Sequence, residues 1–138
     1  MKVVDAYPLI TVARLKASRD FFVERLGMTV LFEAHWVAIL SSKADGSIAL
    51  GLMSADHPSR PPGPETFDGQ GVIITVQVED ASAAYAHLQA CGVPIEHPLS
   101  EEPWGQRRFM TRDPSGIRID VVEQIEPAPG FWDRYSEG

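Results

Sequence analysis

The alternation of apolar and polar positions predicts a strand, a helix and three more strands in the first part of the chain. Val3–Val12 is predicted to be a strand in which Pro8 lies at an edge or a bulge. Apolar residues at helical spacing predict a helix over Leu15–Leu26, which Gly27 ends. Short strand patterns follow at Thr29–Glu33, Trp36–Ser41 and Ile48–Met53. The first part therefore has the order βαβββ.

The same order of elements returns after residues 54–71, a proline-rich stretch that predicts a linker or lid. A strand over Val72–Val78 precedes a helix whose apolar stripe runs from Ala81 to Cys91. Asp80 caps that helix and Gly92 ends it. The remaining strands are predicted at Val93–His97, Arg107–Thr111 and Ile117–Val122. We therefore divide a single domain, residues 1–138, into a first module over about 1–55, the linker, a second module over about 72–126 and a tail over 127–138.

The last two strands form a hairpin that places a carboxylate on an otherwise apolar strand. Asp113-Pro114-Ser115-Gly116 between them suits a type I turn, with proline second and glycine fourth. Because strand side chains alternate, Asp120 points away from the face that carries Ile119 and Val121. If the apolar face packs on a helix, Asp120 faces water, a metal or a ligand.

The two modules match as an internal repeat of roughly 65–70 residues. Leu26-Gly27-Met28 matches Cys91-Gly92-Val93, and the run Gly46–Leu50 matches the run Gly116–Asp120. Each module offers a curved sheet with one helix on one face, so the uncovered faces pack together or enclose a cavity. Polar residues on those faces favour a cavity: Thr11, Thr75, Gln77 and Asp120. We predict an α+β fold of two tandem βαβββ modules whose curved mixed sheets enclose a cavity.

Composition narrows the classes of function. The 138 residues, 44% hydrophobic and 22% charged, are typical of a globular domain, and a net charge of −7 argues against nucleic acid as a partner. The start of the chain does not resemble a signal peptide, and no apolar run has membrane-spanning length, so we expect a cytoplasmic protein without a membrane partner. The single Cys91 excludes an intramolecular disulfide and is predicted to be a buried thiol.

Three motifs make the sequence resemble the vicinal oxygen chelate superfamily of glyoxalases, extradiol dioxygenases and bleomycin-type resistance proteins. The first is Ser18-x-x-Phe21-Phe22 with Leu26-Gly27, and the second is Asp80-Ala81 with the Leu88 to Gly92-Val93 helix end. The third is Trp104-Gly105-x-Arg107 leading to Asp113-Pro114-x-Gly116. The resemblance covers roughly residues 5 to 126 and implies the fold predicted above.

The resemblance also implies where a metal would bind. In the metal-dependent members, ligands lie on the first and last strands of each module, and these positions match Tyr7, Leu50, Ile73 and Asp120. Asp120 alone is an ordinary ligand, so the ligand count of a stable site is not met and we expect no metal or other cofactor. Glu33 and His35 are the remaining candidate pair, and a turn or solvent position is the alternative interpretation for them.

The sequence is most similar to the antibiotic-binding branch, in which a dimer holds a planar or cationic drug. This similarity implies a metal-independent small-molecule binding protein, a homodimer without catalytic residues, in which aromatic side chains stack on the ligand and carboxylates offset its charge. Aromatic residues on strands belong more often to the core than to a binding surface. The predicted ligand-binding residues are Tyr7, Phe32, Trp36, Leu50, Ile73, Trp104, Arg107, Phe109 and Asp120.

Several alternatives stay open. Asp120 either pairs with Arg118 or Arg107 or accepts a bond from the ligand. The first alternative to a binding protein is a divergent metal-dependent glyoxalase-like lyase, isomerase or dioxygenase. The second is a metal-free enzyme that uses Asp120 and Tyr7 as acid and base. The tail holds three aromatic residues after two prolines and is predicted to dock on the sheet of its own subunit or on a partner subunit, with a disordered tail as the alternative.

Overall fold

The structure is a computed structural model that describes residues 1–58 and 65–136. Its helices are α1 (Leu15–Asp20), continued by a π-helical turn at Phe21–Arg25, α2 (Ala81–Ala90) and a 3-10 turn at Phe131–Arg134. None of the helices in these ranges is long and apolar enough to cross a membrane. The strands are β1 (Leu9–Val12), β2 (Thr29–Ala34), β3 (Val37–Ser41), β4 (Leu50–Ser54), β5 (Ile73–Gln77), β6 (Ile95–Glu102), β7 (Gln106–Arg112) and β8 (Arg118–Gln124).

The strands form two mixed sheets with the same internal order. The first sheet has the order β1-β4-β3-β2 and the second has the order β5-β8-β7-β6. The first strand of each module pairs in parallel with the last strand, whereas the other pairs are antiparallel. The repeated order confirms the predicted α+β fold of two tandem βαβββ modules.

The chain divides into two compact units. Unit 1 consists of Met1–Gln70 with Asp113–Ile117, and unit 2 consists of Gly71–Arg112 with the chain from Arg118 onward. Part of the predicted linker, residues 59–64, lies outside the described residues, while its flanks at 55–58 and 65–71 contain neither helix nor strand. The single domain remains a prediction.

In each unit a helix covers one face of the sheet. In unit 1, α1 contacts β3 and β4, and the buried face carries Ile10, Val12, Ala38, Leu40, Leu50 and Leu52. In unit 2, α2 contacts β6, β7 and β8, and the buried face carries Phe109, Thr111, Ile119 and Val121. The ring of Tyr85 on α2 meets Phe109 edge-on at 5.1 Å between centroids.

The second helix follows its sequence pattern closely. The Asp80 carboxylate accepts a hydrogen bond from the Ala83 backbone N–H at 3.0 Å, as expected of an N-cap. Ala81 and Leu88 are buried along the predicted stripe. The prediction for Cys91 was wrong, because this residue is half-buried, with its Sγ 3.9 Å from His87 Nε2. Its position at the helix end explains the difference.

The first helix changes its winding where two adjacent phenylalanines are both buried. Leu26 N donates to Phe21 O across the wider turn at 3.2 Å, and the Phe21 and Phe22 rings meet edge-on at 5.8 Å. A turn with an extra residue allows neighbouring side chains to point into the same core. The predicted helix over Leu15–Leu26 is therefore an α-helix followed by a π turn.

Two strand predictions need correction, and proline explains both. The first strand begins at Leu9 instead of Val3, since Pro8 has no N–H to extend the pairing and Val3 is exposed. The sixth strand runs through Pro98 to Glu102 instead of ending at His97. It lies at the edge of its sheet and is bulged between Ile95 and Ser100, and an edge position of this kind tolerates proline.

The predicted turn before β8 is present. Gly116 N donates to Asp113 O at 3.0 Å, which closes the β-turn. The buried Asp113 carboxylate accepts from the backbone N–H groups of Ser115 at 3.0 Å and Ile117 at 2.7 Å. These bonds fix the hairpin and therefore the register of β7 against β8.

Candidate functional site

The hairpin register decides which side chains share a face with Asp120. Residues 106 to 112 of β7 pair with residues 124 to 118 of β8, so Met110 lies opposite Asp120. On the other side, Thr75 of β5 lies beside Asp120. Since Ile119 and Val121 are buried on the side of α2, Asp120 lies on the face away from α2.

Asp120 is buried although it carries a carboxylate. Only 8% of the residue is exposed. Its Oδ2 lies 3.5 Å from Nη1 of Arg108, and its Oδ1 has no hydrogen-bond partner in the described part of the chain. Burial raises the pKa of the Asp120 carboxyl above its ordinary value, even though the neighbouring Arg108 guanidinium acts to lower that pKa.

Arg108 lies between two carboxylates and beside an indole ring. Besides Asp120, its Nη2 lies 3.3 Å from Oε2 of Glu102. Its Cζ lies 5.2 Å from the centroid of the Trp104 ring, which is a cation–π distance. Glu102 is further held by the Ser100 hydroxyl, which donates to its Oε1 at 3.2 Å. We call Glu102, Trp104, Arg108 and Asp120 the Asp120 cluster.

The structure corrects the expected partner of Asp120. Arg107 lies opposite Glu123 and therefore on the other face, where it pairs with Glu123 at 3.2 Å and Glu101 at 2.5 Å. Arg118 shares the face of Asp120 but bonds through Nε to Glu96 at 2.6 Å. The partner of Asp120 is Arg108, which the sequence analysis missed. Counting residues along both strands from the turn at Asp113–Gly116 places Arg108 and Asp120 on the same face of the hairpin. The sequence therefore contained the information that identifies this partner.

Trp104 is held in place by the C-terminal tail. Trp132 Nε1 donates to the Trp104 carbonyl at 2.8 Å, and Ala128 N donates to the Pro103 carbonyl at 2.8 Å. The Phe131 ring lies 6.4 Å from the Trp104 ring. The tail therefore docks on the turn between β6 and β7 of its own subunit, whereas the prediction placed it on the sheet of its own subunit or on a partner subunit.

The first module carries no carboxylate at the position that corresponds to Asp120. The parallel pairs place Asp120 beside Thr75 and Gly51 beside Leu9. Gly51 and not Leu50 is thus the counterpart of Asp120, and the repeat alignment was wrong by one residue. Leu50 is buried on the face that α1 covers, and a Cβ on Gly51 would lie 2.9 Å from the Leu9 Cδ1 atom and 3.1 Å from that of Ile39.

The other predicted ligand-binding residues lie in different environments. Tyr7 precedes β1 and is 42% exposed, whereas Ile73 at the start of β5 is half exposed. Phe32 on β2 is 60% exposed, and Trp36 is half-buried in the turn between β2 and β3. Phe109 is fully buried against Tyr85 and belongs to the core of unit 2. Of the predicted set, the structure connects Trp104 and Asp120, through Arg108.

The residues at the family's metal positions do not fit a divalent cation. A stable site takes about three or four protein ligands. The positions hold Tyr7, Gly51, Ile73 and Asp120, and the Asp120 carboxylate already faces Arg108. Among residues 1–58 and 65–136, no group of three or more His, Cys, Asp or Glu side chains is arranged to hold a metal ion.

The other candidate pair, Glu33 and His35, lines a cavity of about 340 Å³ in unit 1. Arg19 donates to the Glu33 carboxylate through Nε at 3.1 Å and through Nη2 at 3.3 Å. Asp20 also lines the cavity but is bonded to Lys16 at 3.0 Å. The carboxylates of this cavity therefore face cationic side chains of the same chain.

Comparisons with known proteins agree with this architecture. The model of the Glyoxalase/Bleomycin resistance protein/Dioxygenase superfamily matches residues 6–121. The uncharacterised YaeR of Escherichia coli strain K12 is 32% identical over 113 residues, which are 78% of this chain and 85% of YaeR. A bleomycin resistance protein of Geobacillus stearothermophilus is 25% identical over 136 residues, covering 89% of this chain and 98% of that protein.

A solved structure of a lactoylglutathione lyase from Agrobacterium tumefaciens superimposes with a TM-score of 0.68 at 17% identity. The match covers 89% of this chain and 96% of the lyase, and at this identity it supports the fold alone. The family model, by contrast, spans most of the sequence, including both modules. The chain therefore belongs to the glyoxalase/bleomycin resistance protein/dioxygenase superfamily.

Proposed function

We propose that this protein binds a small planar or cationic molecule without a metal and acts by stoichiometric sequestration, as a drug-binding resistance protein would. The observation that carries the proposal is the Asp120 carboxylate, buried on the face away from α2 with its Oδ1 unpartnered in the described chain. A buried carboxylate with an unused acceptor is stabilised by a ligand that donates a hydrogen bond to it. The similarity to the bleomycin resistance protein agrees with this role.

The surroundings of Asp120 favour a cation over an anion. Two carboxylates, Asp120 and Glu102, face a single guanidinium, so the Asp120 cluster carries one net negative charge. Trp104 adds an indole ring, and such rings attract cations to their faces. A hydrophobic or planar cation therefore matches both the charge and the ring.

The alternative is a divergent metal-dependent lyase, isomerase or dioxygenase. Such an enzyme would use Glu33, His35 or Asp120 as metal ligands. Glu33 and Asp120 both face arginine side chains, so binding a metal would first require breaking these contacts. The donor set therefore favours the binding protein.

The proposal is tested by calorimetric titration and thermal unfolding with bleomycin and a panel of planar cations. A ligand that binds only the folded protein should stabilise it by about 2.7 kcal/mol at a free concentration of 100 times Kd. Asp120→Asn should weaken binding by at least about tenfold, because it removes the charge that attracts the cation. Asp56→Asn, at an exposed position whose carboxylate has no side-chain partner among the described residues, is the matched control and should bind like the wild type.

Two results would contradict the proposal. One is saturable binding of Zn, Ni, Mn or Fe that switches on lyase, isomerase or dioxygenase turnover. The other is binding of the panel cations that Asp120→Asn leaves unchanged.

A further inference from the structure

Arg108 occupies the place that a planar cationic ligand would take in the Asp120 cluster. Its guanidinium lies between the carboxylates of Asp120 and Glu102 and over the ring of Trp104. Carboxylates and an aromatic face are the groups that proteins use to hold cations from outside. The chain thus presents its own side chain to these groups.

The fit of Arg108 to Asp120 is incomplete. The Nη1 to Oδ2 distance of 3.5 Å exceeds that of a usual hydrogen bond, whereas arginine and carboxylate commonly form two parallel short bonds. Both Nε of Arg108 and Oδ1 of Asp120 are buried without a hydrogen-bond partner among the described residues. Each of these atoms would gain from a rearrangement that supplies a partner.

We propose that Arg108 competes with the ligand for Asp120, and that an amidinium or guanidinium group of the ligand displaces the Arg108 side chain from that carboxylate. This inference rests on the proposed function and specifies the ligand class for that site. An amidinium presents two parallel N–H donors, which match Oδ1 and Oδ2 of Asp120 together. A neutral amide has the same shape but lacks the charge that a buried carboxylate requires.

Displacement requires only a movement of the Arg108 side chain. Arg108 keeps Glu102, at 3.3 Å, as a partner when it leaves Asp120. The backbone of β7 is fixed by its pairing with β8 and by the hydrogen-bonded turn at Asp113. The apparent affinity of the wild type is therefore lower than the intrinsic affinity of the site. It is the intrinsic affinity multiplied by the fraction of molecules in which Arg108 leaves Asp120 free.

The test compares benzamidine, a planar aromatic amidinium, with the neutral benzamide by calorimetry or NMR titration. Arg108→Met removes the charge but keeps an unbranched side chain against Trp104. We expect it to bind benzamidine roughly tenfold tighter than the wild type, or better, because the competing group is gone. Arg25→Met, the same substitution at an exposed position in unit 1, should match the wild type, and benzamide should bind none of the variants measurably.

Equal or weaker binding of benzamidine by Arg108→Met overturns the inference, because Arg108 would then either have no effect on binding or contact the ligand itself. So does the absence of benzamidine binding to every variant. The proposed function stands in both cases if the wild type binds bleomycin or another panel cation in a way that depends on Asp120. Arg108→Gln, checked with thermal unfolding, is the second variant and should change the affinity in the same direction if Arg108→Met does not fold.

Discussion

The carboxyl group of Asp120 lies in surroundings that favour its neutral form. Burial is the largest influence on the Asp120 pKa and raises it, while Arg108 opposes the shift. A carboxyl whose folded-state pKa is raised lowers the stability of the fold as pH rises from its unfolded pKa, about 4, through the folded value. The ionised Asp120 is thus a source of instability at neutral pH.

We predict that Asp120→Asn raises the thermal midpoint at pH 7, because the amide does not need to be charged. The gain should shrink as the pH is lowered through the raised folded-state pKa of Asp120 and should be lost below the unfolded value, about 4. Thermal unfolding of both proteins between these pH values measures this. A lower midpoint for the variant at pH 7 would mean that the pair with Arg108 outweighs burial.

Phe109 was predicted to contact the ligand but packs in the core of unit 2. Phe109→Leu should lower the free energy of unfolding by about 1–3 kcal/mol, since it removes buried volume beside Tyr85. The Kd for a cation should stay within a factor of about 2, which corresponds to only about 0.4 kcal/mol of binding free energy. Phe32→Leu, at an exposed position, is the comparison and should change stability by less than about 0.5 kcal/mol.

At the scale of elements, the sequence predicts best where the signals are local. The helix α2 has its cap, its apolar stripe and its terminating glycine within a dozen or so consecutive positions, and all of them except Cys91 at the end of the stripe agree with the prediction. The π turn depends on how the core receives Phe21 and Phe22 together, which periodicity does not encode. The extent of β6 depends on its place at the sheet edge, which a local pattern does not contain either.

The N-cap of α2 gives a direct test at this scale. Asp80→Ala should lower the free energy of unfolding by about 1 kcal/mol, because the Ala83 N–H loses its acceptor. Asp80→Asn keeps an acceptor oxygen and should stay close to the wild type in chemical denaturation. Equal losses in both variants would point to the charge of Asp80 instead of its hydrogen bond.

At the scale of the whole molecule, the two modules share their strand order but differ in chemistry. The second module places Asp120 beside Thr75, whereas the first places Gly51 beside Leu9 at the corresponding pair. Alternation along one strand sufficed to predict that Asp120 leaves the core. Arg108 could be found as its partner by counting both strands back from the turn at Asp113–Gly116, whereas finding Gly51 required the parallel pairing of β1 with β4.

The donor set leads to a prediction about metal content. Protein purified without chelators should contain far less than one equivalent of Zn, Ni, Mn or Fe by elemental analysis, because three of the four positions that the family resemblance assigns to ligands hold Tyr7, Gly51 and Ile73. Added metal ions should not raise the thermal midpoint. A stoichiometric metal that survives dialysis would contradict this prediction and favour the enzyme.

The homodimer and the cytoplasmic location remain predictions. Light scattering measures the oligomeric state.

The proline and bulges of β6 have a consequence for behaviour in concentrated solution. The outermost strand of a sheet offers free N–H and C=O groups to which strands of other molecules can add, which is how many proteins begin to aggregate. Pro98 has no N–H to offer, and two register shifts interrupt the strand around it. Another chain therefore finds no continuous ladder along β6, and this edge should resist the growth of intermolecular sheets.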